Sequence, residues 1–138
     1  MAVRISAKYK PSDKEPFMNA KQREYFRRKL TSWREELMRE SQSTIQNLQQ
    51  VSEPASDIAD RASIETERSV ELRTRDRERK LIAKIDGALN RIEDGSYGYC
   101  EETEEPIGVM RLEARPIATL SVEAQERHER MEKTHREE

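Results

Sequence analysis

The sequence predicts a mainly α protein: a long antiparallel coiled-coil hairpin, a small globular module and a C-terminal helix. Three observations predict it. Of 138 residues, 39% are charged and 33% hydrophobic, too little apolar area for a globule of this size to offset its chain entropy. Only 4 Gly and 5 Pro occur, so the middle of the chain is free to stay helical rather than disordered. Apolar residues recur mostly every 3, 4 or 7 positions, between faces of Lys, Arg, Glu and Gln, as in a narrow packed seam.

Residues 1–16 are polar, hold two prolines and read as a flexible tail. Asn19 is a suitable N-cap for a first helix. Its seam is Phe26, Leu30, Trp33, Leu37, Thr44, Leu48 and Val51, weakened by polar residues near 40–44. From 19 to 51 such a helix is ~50 Å long at about 1.5 Å per residue. SEPASDIADRAS (52–63) interrupts it: Pro54 bounds a helix, and Ser56 and Asp57 suit the start of the next. The second helix runs to about Glu93, with apolar positions Ala59, Ala62, Val70, Leu81, Ile85, Leu89 and Ile92. Two helices of similar length joined by a short turn predict an antiparallel hairpin over 17–93, its tip at about 52–62. ELRTRDRERK (71–80) alternates charge closely, as on a solvated face with i,i+4 pairs.

Asp94-Gly95-Ser96-Tyr97-Gly98 ends the helix with turn residues. Residues 94–120 form a loop-rich module whose expected core is Tyr97, Tyr99, Ile107, Val109, Met110, Leu112, Ile117 and Leu120. Thr119 or Ser121 caps a last, very polar helix over 121–138.

The module's YGYCEE resembles one arm of a zinc knuckle, yet Cys100 is the only cysteine. Thr103 stands where a second sulfur belongs, and Ser121 and Ala124 repeat the spacing without sulfur. None of the three replacements suits zinc, and His128 and His135 lie seven apart on the last helix. The expectation is a degenerate zinc-finger-like module without metal. Glu101, Glu102, Glu104 and Glu105 surround Cys100 in sequence, which disfavours its thiolate and argues for an inert relic over a redox sensor. Asp57 and Asp60 share a face at a helix start, and composition alone favours a capping role. No base, nucleophile or pocket accompanies them, so an enzyme is not expected. Arg77, Arg79, Lys80 and Lys84, with Arg111 and Arg115, would bind phosphates if they converged.

The balance of 26 basic and 28 acidic residues, net −2, excludes the broad positive field of a general DNA binder. No stretch approaches a membrane span, and residues 1–16 lack the apolar run of a signal peptide. A single cysteine suits a reducing cytoplasm.

EPFMNAKQREYFRRKL (15–30), ELRTRDRERKLIAKI (71–85), IEDGSYGYCEE (92–102) and RLEARPIATL (111–120) closely resemble the DksA family of bacterial transcription factors, over about residues 15–128. The resemblance implies a coiled-coil hairpin on a globular base, acting through the secondary channel of RNA polymerase on its β′ side. It places Asp57, Asp60 and Ala62 at the tip near the polymerase active site and Arg77 on a polymerase contact. Lys84 and Arg115 match positions that bind the alarmone ppGpp together with polymerase; a third basic position appears here as Gln125. Cys100, Thr103, Ser121 and Ala124 fall on the four zinc positions, so zinc is not expected. The implied function is destabilisation of open promoter complexes in the stringent response, by a cytoplasmic monomer that reads no DNA sequence and touches no membrane. Two other readings stay open: a transcript-cleavage-type channel factor, and a structural coiled-coil adaptor.

Overall fold

The computed structural model describes residues 4–50 and 58–137. The order of elements is α1 (Ala20–Gln50), α2 (Ile58–Asp94), α3 (Val109–Ala114) and α4 (Val122–Glu137). Among the described residues the only β pairing is an isolated bridge between Tyr99 and Pro106. No helix there is long and apolar enough to cross a membrane. The chain divides into two compact units, Thr31–Asp86 and Met1–Leu30 with Gly87–Glu138.

The Thr31–Asp86 unit is helical throughout its described residues, with Arg34 Nε donating to Asp86 Oδ1 at 2.6 Å between α1 and α2. Leu37 and Ile85 are buried and Trp33 is half-buried, as the expected seam requires. Counting back from Ile85 by threes and fours, the less exposed side of α2 is Leu81, Glu78, Thr74, Glu71, Arg68 and Ile64. Val70 was expected there, but it is 52% exposed, and Ala62 is exposed too. Val70 stands one position before Glu71, about 100° round the helix. Glu71 and Glu78 each keep one shielded carboxylate oxygen with no hydrogen-bond partner, so the middle of α2 packs through a polar seam that contributes little hydrophobic stabilisation. The side chains of Thr44, Leu48, Val51 and Ala59 lie outside the described residues, as do Pro54, Ser56 and Asp57.

In the other unit, Asn19 caps α1: its Oδ1 accepts from Gln22 N–H at 2.9 Å. The core holds Phe26, Leu30, Ala88, Ile92, Tyr97, Cys100, Val109, Leu112, Ala118 and Ala124. Phe26 and Tyr97 rings pack at 5.7 Å between centroids, and the Tyr97 hydroxyl donates to Pro116 O at 2.8 Å. Two expected core residues face outward. Met110 is 78% exposed because α3 turns Val109 and Leu112 inward, and Tyr99 is 37% exposed, its ring edge-on to Phe17.

Residues 4–16, expected to belong to a flexible tail over 1–16, run a hydrogen-bonded course with residues 17–19. Tyr9 donates to Glu15, Ser12 N–H donates to the same carboxylate, and fully buried Gln22 ties both ends by donating to Ser12 O and accepting from Met18 N–H. Gly98 lets this segment approach: at φ 91° it has no Cβ, and one would lie 3.1 Å from both Phe17 and Met18.

Candidate functional site

The start of α2 presents Asp60 in its first turn, where the helix end favours a negative charge. Asp60 is exposed, and among the described residues its carboxylate makes no hydrogen bond or ion pair. Asp60 lies inside the helix rather than at its cap, and Asp57, the other residue for which composition favours capping, lies outside the described residues. Ala62 is exposed one turn into α2, its carbonyl accepting from the Thr66 hydroxyl.

Further along α2, Arg73, Arg77, Lys80 and Lys84 follow a 4-3-4 spacing that stacks them on one face. With Asp76 and Leu81 they line a shallow groove of about 500 Å³. Asp76 pairs with Lys80 and Arg79, both at 3.2 Å. Arg77 and Lys84 have no such partner among the described residues, leaving their charges available to an anion. Of the basic set expected from sequence, Arg79 turns to the adjoining face beside Leu72 and Arg75. Arg73, not singled out in sequence, completes the stripe; counting back one turn from Arg77 finds it.

Arg111 and Arg115 belong to the other unit. Arg111 Nε donates to Leu120 O at 2.9 Å, so that guanidinium is partly spent inside the module. Arg115 ends α3 with its side chain exposed. Gln125 donates to Glu129 on α4.

Cys100, Thr103, Ser121 and Ala124 meet as a hydrogen-bonded substitute for a metal site. Burial pushes the Cys100 thiol up, but the Thr103 hydroxyl and the N–H groups of Ser121, Thr103 and Glu102 outweigh it, bringing the thiol from 9.0 down to about 6. The flanking glutamates, expected to suppress the thiolate, are exposed, while the donors point inward. Hydrogen bonds from the Thr103 hydroxyl and then from the backbone N–H groups decided the sign, not the charge of the flanking glutamates. Cys100 is only 2% exposed, which keeps the thiolate from reagents. Ser121 Oγ accepts from Ala124 N–H at 3.2 Å and caps α4, and Ala124 is fully buried. Glu101 N–H donates to Thr119 O at 2.9 Å, and His128 pairs with Glu102, both tying the first arm to the second. These residues do not fit zinc: one thiol, two hydroxyls already in hydrogen bonds and a methyl group offer no tetrahedral donor set. No group of three His, Cys, Asp or Glu among the described residues could hold a metal ion.

A depressed thiol pKa is a linkage term. The folded state binds its proton less tightly than the unfolded chain, so the stabilisation is complete above the unfolded value of 9.0 and is lost as pH falls through about 6. Thermal unfolding followed from pH 6 to 9 should therefore show stability rising with pH, by a few kcal/mol at most. Cys100→Ser should flatten that rise; an identical slope in both proteins would remove the thiolate.

Residues 22–92 match the model of the DnaK suppressor protein DksA N-terminal domain, and residues 95–130 match that of the prokaryotic dksA/traR C4-type zinc finger. The chain is 67% identical over 128 residues to the RNA polymerase-binding transcription factor DksA of Caulobacter vibrioides, covering 93% of this chain and 90% of the relative. It is 45% identical over 115 residues to the Escherichia coli K12 protein of the same name, covering 83% of this chain and 76% of that one. The solved structure of transcription factor DksA2 from Pseudomonas aeruginosa superposes with a TM-score of 0.80 at 44% identity, covering 85% of this chain and 90% of that chain.

Proposed function

Since the chain belongs to the DksA family, we propose that it is a bacterial transcription regulator that binds RNA polymerase, entering by the secondary channel and destabilising open promoter complexes. It works as a monomer in the cytoplasm, beside its polymerase, and performs no chemistry of its own. The observation that carries the reading is Asp60, an exposed carboxylate at a helix start with nothing in the described chain to satisfy it. A charge kept free at that position serves a partner better than it serves the fold.

The α2 stripe supports the remainder. Arg77 contacts polymerase on the β′ side. Lys84 and Arg115 each contribute to ppGpp binding by the polymerase complex, and the effector strengthens inhibition. Gln125 stands in place of a third basic residue, so the strength of this coupling is set by the ppGpp titration and not by the family pattern. Zinc is not required, because the Cys100 cage and the second-arm hydrogen bonds stand where metal would. Mixed charge at net −2 suits a protein partner better than DNA.

The test is multi-round transcription from a ribosomal RNA promoter by purified bacterial RNA polymerase, with a zinc chelator throughout. Wild type should inhibit. Asp60→Asn should inhibit roughly tenfold less or worse, the loss of one charge-assisted contact of about 1.5–3 kcal/mol. Equal inhibition by both would return Asp60 to a modest role at the helix start. No inhibition by wild type would favour a structural adaptor, and shortened RNA in stalled complexes would favour a cleavage factor.

A further inference from the structure

We infer that Glu113, clamped by Lys29 and Tyr25 of α1, is a positioning residue that holds Arg115 in place for ppGpp. The inference rests on the reading of Arg115 given under the proposed function.

The six-residue helix α3 is anchored to the core by Val109 and Leu112, but little within it fixes its last turn. So short a helix is marginal alone, its start at Gly108 has no side-chain cap, and its last carbonyls lack intrahelical partners. α1 supplies what is missing. Lys29 Nζ donates to Glu113 O at 2.8 Å and to Glu113 Oε1 at 2.9 Å, and the Tyr25 hydroxyl donates to the same Oε1 at 2.7 Å. Tyr25 is itself fixed, edge-on to Tyr9 at 6.1 Å and to Phe26 at 5.2 Å. Burial raises the Glu113 carboxyl, but Lys29 and Tyr25 overcome it and hold the group below its ordinary range, so it stays charged. Burial and Glu113 push the Tyr25 hydroxyl to about 12, so it stays a donor.

Arg115 lies two residues on. Its N–H donates to Arg111 O at 2.8 Å and its carbonyl accepts from Ala118 N–H at 3.0 Å. Pro116 follows, buried, with its carbonyl held by Tyr97 at 2.8 Å. The backbone of Arg115 is thus gripped on both sides while its guanidinium is exposed and, among the described residues, without a partner. That combination suits an anion-binding arginine: little ordering remains to be done on binding. The clamp is not a strong stabiliser, because Lys29 and Glu113 are 34% and 44% exposed and screened pairs contribute little to folding. Its effect should appear in ligand response rather than in melting.

The experiment titrates ppGpp in the transcription assay with wild type, Lys29→Met, Tyr25→Phe, Lys29→Arg and Arg115→Ala, and measures melting temperatures alongside. Arg115→Ala should abolish the ppGpp effect. Lys29→Met should raise the ppGpp concentration for half-maximal potentiation by roughly fivefold, the low end of ordinary coupling. Tyr25→Phe should act in the same direction, and Lys29→Arg should restore the wild-type response. Inhibition without ppGpp, and melting, should stay at wild-type values in all three clamp variants. An unshifted response in both Lys29→Met and Tyr25→Phe, with Arg115→Ala inactive toward ppGpp, would overturn the clamp alone. Potentiation that survives Arg115→Ala, or is absent in wild type, would overturn the reading of Arg115 and the clamp with it. A parallel fall in melting and in ppGpp-free inhibition would make the clamp structural and overturn it too.

Discussion

The combined variant Thr103→Cys, Ser121→Cys, Ala124→Cys should bind one zinc ion per chain and unfold at a markedly higher temperature with metal than with chelator. The four positions are already neighbours. The Cys100 thiol accepts from the Thr103 hydroxyl and the Ser121 N–H, and Ser121 Oγ reaches the Ala124 N–H. Three new thiolates there would complete a four-sulfur set, the donor number and type that structural zinc prefers. Apparent binding free energies for such sites reach about 10–16 kcal/mol in small domains, larger than any single side-chain effect in this chain. The variant without metal should be less stable than wild type, since Cys at 121 is a poorer cap than Ser and the thiolate at 100 loses the Thr103 donor. Metal content by elemental analysis and melting with and without chelator check both parts. Zinc-free protein after refolding with excess metal would show that the four positions do not converge tetrahedrally.

Phe26→Ala should lower folding stability by about 3–5 kcal/mol, the ordinary cost of emptying a fully buried aromatic site. Phe26 is 0% exposed, packs against Tyr97 and Tyr25, and joins α1 to the loop that carries Cys100. Nothing flexible stands ready to fill the space: Gln22, one turn earlier, is itself committed to Met18, Asn19 and Ser12. With total stabilities of about 5–15 kcal/mol for most domains, the variant should be partly unfolded at 37 °C. Denaturant titration followed by helical signal measures it; a change under about 1 kcal/mol would place Phe26 outside the core.

Much of the arrangement was legible from residue order. Asn19 announced the start of α1, Asp94-Gly95 the end of α2, and Ser121 the start of α4, because capping and turn chemistry act over three or four residues. That Cys100, Thr103 and Ser121 meet was suggested by their spacing. The seam of α2 was misread at Val70 because apolar type was followed instead of helical phase; counting from Ile85 would have reached Glu78, Thr74 and Glu71. Arg73 was missed for a related reason: its charge looked like one more member of an alternating run.

Other features had no signal in residue order. The acidic shift of Cys100 depends on the Thr103 hydroxyl and three backbone N–H groups meeting its sulfur, and the glutamates beside it in sequence argued the opposite. The course of residues 4–19 hangs on Gln22, a polar residue whose full burial no pattern announces. The Lys29–Tyr25–Glu113 clamp spans more than 80 residues of chain. The sequence by itself determined the start of α1, the end of α2 and the apolar seam of α1 at Phe26, Leu30 and Leu37, because these follow from periodicity and local chemistry. Only the tertiary structure decided which polar groups are buried and which charges stay unpaired, because those depend on contacts between residues distant along the chain.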